Sequence, residues 1–330
     1  MYKVIITDAV DERGIELLED TGQIEVIYKP GVPVEDYIDD IGGVHGWIIR
    51  SGTKIGSDLL MKADSLKVIG RAGVGVDNID IEQATLRGVV VMNTPTGNTN
   101  AATEQTMALM LAAARNTAQA NASLKEGRWD RNKYVGYELR GKTLGIIGLG
   151  RIGEGVAKRS QSFEVNCIGY DPYLSEEQFS NMNVKQVELE EIFTQSDFIT
   201  VHVPKSEQTK DLIGSKEISK MKDGVILINA SRGGIYNESA VVDGLKSGKI
   251  AAIGFDVFDS EPLTEDHPFL EFDNAVLTPH LGASTYEAKE NVAVQIATQV
   301  KDFLLNEQVT NAVNIPFADY SKLKQMESYL

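Results

Sequence analysis

Apolar and polar positions alternate in blocks along this chain. Short β-branched runs come first: KVIITDA from Lys3, QIEVIY from Gln23, GWIIRS from Gly46, KVIGRAG from Lys67 and VVVMN from Val89. Amphipathic stretches such as the one through Ile15 and Leu18 separate them. Strand and helix alternating in this way predict a parallel sheet covered by helices on both faces. From Asn98 to Lys125 the chain is rich in Ala, Leu, Met, Gln and Thr, with neither proline nor glycine. That stretch predicts one long helix leaving the first unit. A second alternation follows, with six strand candidates: KTLGIIG from Lys142, VNCIGYD from Val165, SDFITVHVP from Ser196, GVILINASRGG from Gly224, IAAIGFDVF from Ile250 and AVLTPHLG from Ala275. It predicts a second doubly wound α/β unit of the nucleotide-binding kind. A last helix, about Tyr286 to Leu305, is expected to return to the first unit, and the polar residues from Ala318 are expected to pack weakly.

The chemistry-bearing residues fall where strands end. Gly148, Gly150 and Gly153 form GLGRIG between a strand and a helix-forming run. In that context the first glycine permits a tight turn, the second lets backbone approach a pyrophosphate, and the third lets the helix pack on its strand. The next strand ends in Asp171, 23 residues after Gly148. A carboxylate there accepts both ribose hydroxyls and repels a 2′-phosphate, which favours NAD over NADP. Later strands end in His202-Val203-Pro204, Ala230-Ser231-Arg232-Gly233-Gly234, Asp256 and Pro279-His280. Ligands in open α/β sheets bind at that edge. Arg232 offers a planar fork for a 2-oxo or 2-hydroxy acid, His280 can shuttle a hydroxyl proton, and Glu261 can orient the imidazole and favour its protonated form. His202 is read as capping its strand, and His45 and His267 as turn residues.

Composition narrows the partners. The 330 residues carry 32 Lys and Arg against 48 Asp and Glu, a formal net charge of -16. A general phosphate-backbone binder would have the opposite bias, so no nucleic-acid partner is expected. The single cysteine, Cys167, lies in a strand-like run and reads as a small core residue in a reducing compartment. The first residues show no secretory pattern, and the longest helix-like apolar stretch, Met107 to Ala114, is far short of the roughly 20 residues a bilayer needs. The expectation is a cytoplasmic enzyme with no membrane partner. No metal-ligand set is assigned.

Together these motifs resemble the D-2-hydroxyacid dehydrogenase family, and within it the 3-phosphoglycerate dehydrogenase branch. The matching segments are RSGTKI from Arg50, VIGRAGVGVDNIDIEQAT from Val68, VMNTPTGNTNAATEQT from Val91, GKTLGIIGLGRIG from Gly141, NASRGG from Asn229, DVFDSEP from Asp256 and TPHLGAST from Thr278. The resemblance implies two doubly wound parallel-sheet domains: a flavodoxin-like substrate domain of residues 1–98 plus 286–330, and a Rossmann NAD-binding domain of residues 99–285. It places Arg232, Glu261 and His280 on the family's catalytic arginine, glutamate and histidine. Val74, Arg151, Ile152, Asp171, Val203, Pro204, Ala230, Ser231, Arg232, Asp256, His280, Gly282 and Ala283 join the glycines as cofactor positions. Arg50, Ser51, Gly52, Gly73, Gly75 and Asn98 fall on the substrate cleft together with Arg232 and His280, and Arg71 and Arg131 on positions facing a phosphate, Arg131 from a neighbouring subunit. A homodimer or homotetramer is implied. The implied reaction is the NAD-dependent interconversion of 3-phospho-D-glycerate and 3-phosphooxypyruvate, the entry to serine.

Two departures from the family pattern stand out. The sequence given ends at Leu330, which suggests a short form without the C-terminal ACT domain of serine-sensing members, and Lys205 in HVPK replaces an apolar residue. Alternatives remain open at this stage: another D-2-hydroxy acid such as glycerate or lactate, or an NAD(H)-sensing corepressor on the same scaffold. A Tyr-x-x-x-Lys pair of the short-chain dehydrogenase kind occurs as Tyr320 and Lys324, outside the nucleotide fold, and reads as chance.

Overall fold

The computed structural model describes residues 1–315; the tail from Ala318, with Tyr320 and Lys324, lies outside the described residues. The chain divides into two compact units, Met1–Asn98 with the segment from Thr285 onward, and Thr99–Ser284.

In the first unit five parallel strands, β1 (Tyr2–Ile6), β2 (Ile24–Tyr28), β3 (Gly46–Ile49), β4 (Val68–Arg71) and β5 (Val90–Asn93), are ordered β2-β1-β3-β4-β5. This is the flavodoxin-like order, with its switch point between β1 and β3. Side chains alternate across a strand, so Val4 and Ile6 enter one apolar layer while Ile5 enters the other, beside Trp47 and Ile49. Both faces are covered, which is why the strands read as unbroken apolar runs. The helix Tyr286–Asn306 supplies Val292, Ile296 and Val300 to the first layer, so the last helix among the described residues completes a sheet begun at residue 2.

The second unit holds seven parallel strands, β6 (Thr143–Ile147), β7 (Asn166–Tyr170), β8 (Lys185–Gln186), β9 (Phe198–Val201), β10 (Val225–Asn229), β11 (Ile250–Phe255) and β12 (Ala275–Leu277), ordered β12-β11-β10-β9-β6-β7-β8. The switch point lies between β6 and β9. Six of these strands are evident in the sequence; the seventh, β8, is a two-residue exposed edge with no apolar run to announce it.

The single helix expected over Asn98–Lys125 is two, Thr99–Arg115 and Thr117–Lys125. Asn116 separates them in the left-handed conformation, at φ 51°. Asparagine adopts that conformation more readily than most residues, and composition alone does not reveal the break. Among the described residues no helix is long and apolar enough to cross a membrane, and no group of three or more His, Cys, Asp or Glu is disposed to hold a metal.

Candidate active site

The glycine turn sits at the switch point of the seven-stranded sheet. Gly148 has φ 89°, and a Cβ there would lie 2.7 Å from the His202 carbonyl oxygen, so the β6 and β9 chain ends touch only because the side chain is absent. A Cβ on Gly153 would meet the Gly148 carbonyl oxygen at 2.1 Å, which fixes how closely the helix Arg151–Gln161 packs on β6. A Cβ on Gly150 would meet nothing within 4 Å. The backbone there is open to a ligand, at the end of an 11-residue helix whose first amides have no side-chain cap. At the end of β7, Asp171 accepts from the Leu149 amide at 2.9 Å with one oxygen and from the Tyr173 amide at 3.0 Å with the other. Both bonds lock the carboxylate beside the glycine turn. The donor set and this fixed acceptor fit an adenine dinucleotide lacking a 2′-phosphate.

The catalytic candidates converge at the same sheet edge. His280 Nδ1 lies 2.7 Å from Glu261 Oε2, and Glu261 Oε1 accepts from the Phe258 amide at 3.0 Å. Burial would raise the Glu261 pKa. The hydrogen bonds from His280 and the Phe258 amide, with the charges of His280 and Arg232, outweigh it and hold the carboxyl below its ordinary value. The His280 and Glu261 side chains remain 47% and 35% exposed, and a pair so exposed contributes about 1 kcal/mol or less to folding. Its consequence is therefore orientational: with Nδ1 against Glu261, the imidazole ring is held in one pose.

Arg232 reaches this edge through a shaped turn. Buried Asn229 accepts from the Ser231 amide at 3.1 Å and donates to the Arg232 carbonyl at 2.9 Å. A Cβ on Gly233 would overlap the Phe258 carbonyl, so the turn carrying Arg232 is in direct backbone contact with the loop carrying Glu261. Lys205, the departure from the family pattern, pairs with Asp259 at 3.0 Å in that loop. A cavity of about 360 Å³ lies against the pair, walled by Phe258, Pro262, Leu263, Leu277 and Pro279.

Asp256 does more than the sequence indicates. It is wholly buried, and its carboxylate accepts from the Leu281 amide at 2.7 Å, the Gly282 amide at 2.8 Å and the Thr278 hydroxyl. Its carbonyl takes the His280 amide at 2.9 Å. His280 has φ 54°, a left-handed conformation costing about 1 kcal/mol or more, and these bonds hold it there. Gln105 donates to Thr278 Oγ1 at 3.0 Å and completes the support. Sequence reasoning missed Gln105, Thr278 and Asn229; their only signal was position at strand ends or on a long helix.

His202 directly follows β9 at the switch point, with its carbonyl facing Gly148 and its ring turned back to its own strand. Its ring contacts Thr200 Oγ1 at 3.0 Å, and burial pushes its pKa down to about 4, which leaves it neutral. His45 accepts from the Lys3 amide at 3.1 Å, and His267 pairs with Glu238 at 3.2 Å. Cys167 is buried, with its thiol pushed up to about 11 by burial.

The substrate candidates of the first unit share the carboxyl edge of its own sheet. Arg50, Ser51 and Gly52 follow β3, and Arg71 ends β4, where the register pairs it with Ile49. Gly73 and Val74 are pinned to the β5 end: the Thr94 amide donates to the Gly73 carbonyl at 3.0 Å and Asn93 Nδ2 to the Val74 carbonyl at 2.6 Å. Gly75 follows in the same loop, and Asn98 lies a few residues beyond β5. Arg131 stands apart, in an exposed turn, Arg131–Tyr134, whose pocket is lined by Trp129, Asp130, Asn132 and Lys133 rather than by sheet-edge residues.

Comparison with known proteins gives the chain's family. Residues 107–282 match the family described as D-isomer specific 2-hydroxyacid dehydrogenase, NAD binding domain. A D-3-phosphoglycerate dehydrogenase of Archaeoglobus fulgidus is 46% identical over 328 residues, 99% of this chain and 62% of its own length. The chain thus spans less than two thirds of the length of the first curated relatives it matches. Among solved structures, the TT0316 protein from Thermus thermophilus superposes with a TM-score of 0.87 at 31% identity, covering 94% of this chain and 99% of its own. A D-lactate dehydrogenase from Aquifex aeolicus, complexed with NAD and lactic acid, superposes with a TM-score of 0.82 at 27% identity over 95% of this chain and 99% of its own.

Proposed function

The chain belongs to the D-isomer specific 2-hydroxyacid dehydrogenase family, and on that premise we propose that it interconverts 3-phospho-D-glycerate and 3-phosphooxypyruvate with NAD, the entry step to serine. The observation that carries the chemistry is the 2.7 Å contact between His280 and Glu261 at a sheet edge shared with Arg232. The choice of acid is supported by relatives named for that activity at 46% identity.

Bound NAD supplies the hydride acceptor, held by the GLGRIG turn, the first amides of the helix Arg151–Gln161 and Asp171. Arg232 engages the substrate's carboxylate and reacting oxygen, where its fork of donors stabilises developing negative charge. His280 takes the hydroxyl proton on Nε2 in the oxidising direction and returns it in the reducing one. Glu261 stays ionised opposite Nδ1 and stabilises the imidazolium. Arg50, Ser51, Gly52, Gly73, Gly75 and Asn98 are the candidates for further substrate contacts, and Arg71 and Arg131 those for the phosphate. The protein acts in the cytoplasm as a homodimer or homotetramer, which light scattering of the purified chain checks.

The direct test is NADH consumption with a panel of 2-oxo acids. The reading holds if 3-phosphooxypyruvate has the highest kcat/KM, and gives way to another 2-hydroxy acid if glyoxylate, pyruvate or hydroxypyruvate exceeds it.

A further inference from the structure

The loop that carries Glu261 is bonded to two histidine–glutamate pairs, of which the chemistry above uses one. Consecutive amides of this loop go to carboxylates: Phe258 donates to Glu261 Oε1 at 3.0 Å and Asp259 to Glu238 Oε1 at 2.9 Å. Each carboxylate sets its other oxygen against a histidine, Glu261 against His280 Nδ1 at 2.7 Å and Glu238 against His267 Nε2 at 3.2 Å. The second pair is the more buried, with His267 and Glu238 side chains 16% and 23% exposed. The His267 ring stands edge-on to Phe258 and Phe269, and its Nδ1 accepts the Phe269 amide at 3.3 Å. With Nδ1 an acceptor, the neutral ring carries its proton on Nε2 and donates it to Glu238, so both nitrogens are engaged. Glu238 stands in the first turn of the helix Glu238–Ser247, where a carboxylate suits the helix dipole. The peptide joining Phe258 to Asp259 lies on Gly233, where a Cβ would overlap it. Arg232 and His280 are the charges acting on Glu261; around the second pair, exposed Asp266 acts on His267 and exposed Lys205 bonds to the Asp259 side chain.

We propose that Glu238 and His267 are positioning residues, a second histidine–glutamate pair that fixes the Phe258–Asp259 peptide so that Glu261 meets His280 in one pose. The proposal rests on the reading of His280 and Glu261 as the acid-base pair given above. Glu261's own bond to the Phe258 amide closes a turn of four residues, which fixes the side chain relative to the turn but not the turn relative to the domain. The Asp259 amide makes that second connection, to a helix 21 positions earlier in the chain. The ion pair of Lys205 with Asp259 is 39% and 56% exposed, and a surface pair of that kind holds a loop weakly. His267 in turn keeps Glu238 from swinging into solvent. A role through charge alone predicts something different: Glu238 would then favour the His280 imidazolium from a distance, and an uncharged acceptor in its place would serve no better than alanine.

The pH dependence of 3-phosphooxypyruvate reduction by the full chain with NADH tests this, with NADH affinity read separately by fluorescence titration. Reduction needs His280 protonated, so the rate falls on the alkaline side, and an imidazolium that loses its carboxylate partner gives up its proton at lower pH. In Glu238→Ala the alkaline limb is expected about one pH unit lower and kcat about tenfold lower, with NADH affinity held within about twofold. His267→Ala shifts the limb the same way by about half as much, because the Asp259 amide keeps its acceptor. Glu238→Gln keeps that acceptor without the charge, and returns kcat to within about threefold of wild type. Two controls leave the limb in place: Lys205→Met, which breaks the exposed ion pair on Asp259, and Leu245→Ala, which lowers Tm by truncating the apolar layer under the same helix. A wild-type limb in Glu238→Ala, a Glu238→Gln as impaired as the alanine variant, or NADH affinity falling in parallel with kcat overturns the clamp. Should Glu238→Ala not fold, Glu238→Asp carries the test, since it keeps the charge and withdraws the acceptor by one methylene; a wild-type limb in it overturns the proposal. If the unmodified protein reduces no 2-oxo acid, or its alkaline limb survives in His280→Ala, the functional reading has failed and the clamp falls with it.

Discussion

Two sheet edges in this molecule hold their loops by the same device and differ in the groups those loops carry. At the carboxyl edge of the seven-stranded sheet the candidate reacting groups are side chains, and Asp256 holds the backbone beneath His280 through the Leu281 and Gly282 amides. At the edge of the five-stranded sheet the candidate substrate groups sit on loops, and the side chains of Asp8 and Asn78 hold the backbone of one of them at Arg50 and Thr53. Each edge relies on a buried carboxylate that accepts loop amides. The difference teaches that proton transfer needs a titratable side chain in a fixed pose, whereas recognition of an anion needs only donors, from backbone or side chain.

The sharpest way to break this comparison is His280→Ala. Loss of a general acid-base group costs about 10²- to 10⁴-fold in kcat, while NADH affinity should hold within about threefold. Stopped-flow or steady-state NADH absorbance reads the first, fluorescence titration the second. Near-normal turnover would remove the side-chain half of the contrast.

His202 sharpens the scaffold half, since it lies at the switch point without joining the chemistry. Its pKa of about 4 when folded is below the unfolded 6.5, so the unfolded chain binds a proton that the native ring refuses. The resulting penalty is absent above pH 6.5, grows as pH falls towards 4 and then levels off, at about 1 kcal/mol for each pH unit within that window. Urea melts at pH 7 and pH 5 should show this loss, and His202→Asn should flatten it. Next in size, Asp171→Ala should weaken NADH binding about tenfold and narrow the preference over NADPH, because a locked acceptor for the ribose hydroxyls is removed. The smallest effect expected is at Cys167: a buried thiol with a pKa of about 11 should not react with a disulfide reagent in the native protein, but should react fully in urea.

What the sequence discloses follows from the range of the interaction involved. The GLGRIG turn and Asp171 are legible because a β-turn-α unit is local and its glycines have steric reasons, and the unbroken apolar runs disclose buried strands directly. Arg232, Glu261 and His280 are legible through position, each near a strand end, with the resemblance fixing their grouping. The break at Asn116 is hidden because asparagine is compatible with both helix and left-handed turn, and β8 because an edge of two residues has no periodicity. Gln105, Asn78 and the full role of Asp256 are invisible for another reason: their partners lie on other elements, and a hydrogen bond across 151 or 28 positions leaves no local pattern.

The helix Tyr286–Asn306 gives the two units different schedules during synthesis. The seven-stranded unit is contiguous, so every residue it needs has left the ribosome once Ser284 has emerged. The five-stranded sheet is translated first yet must wait, with Val4, Ile6, Val68 and Val90 lacking their cover until Val292, Ile296 and Val300 appear. Completion of the five-stranded unit thus depends on a segment that is translated after the whole of the seven-stranded one.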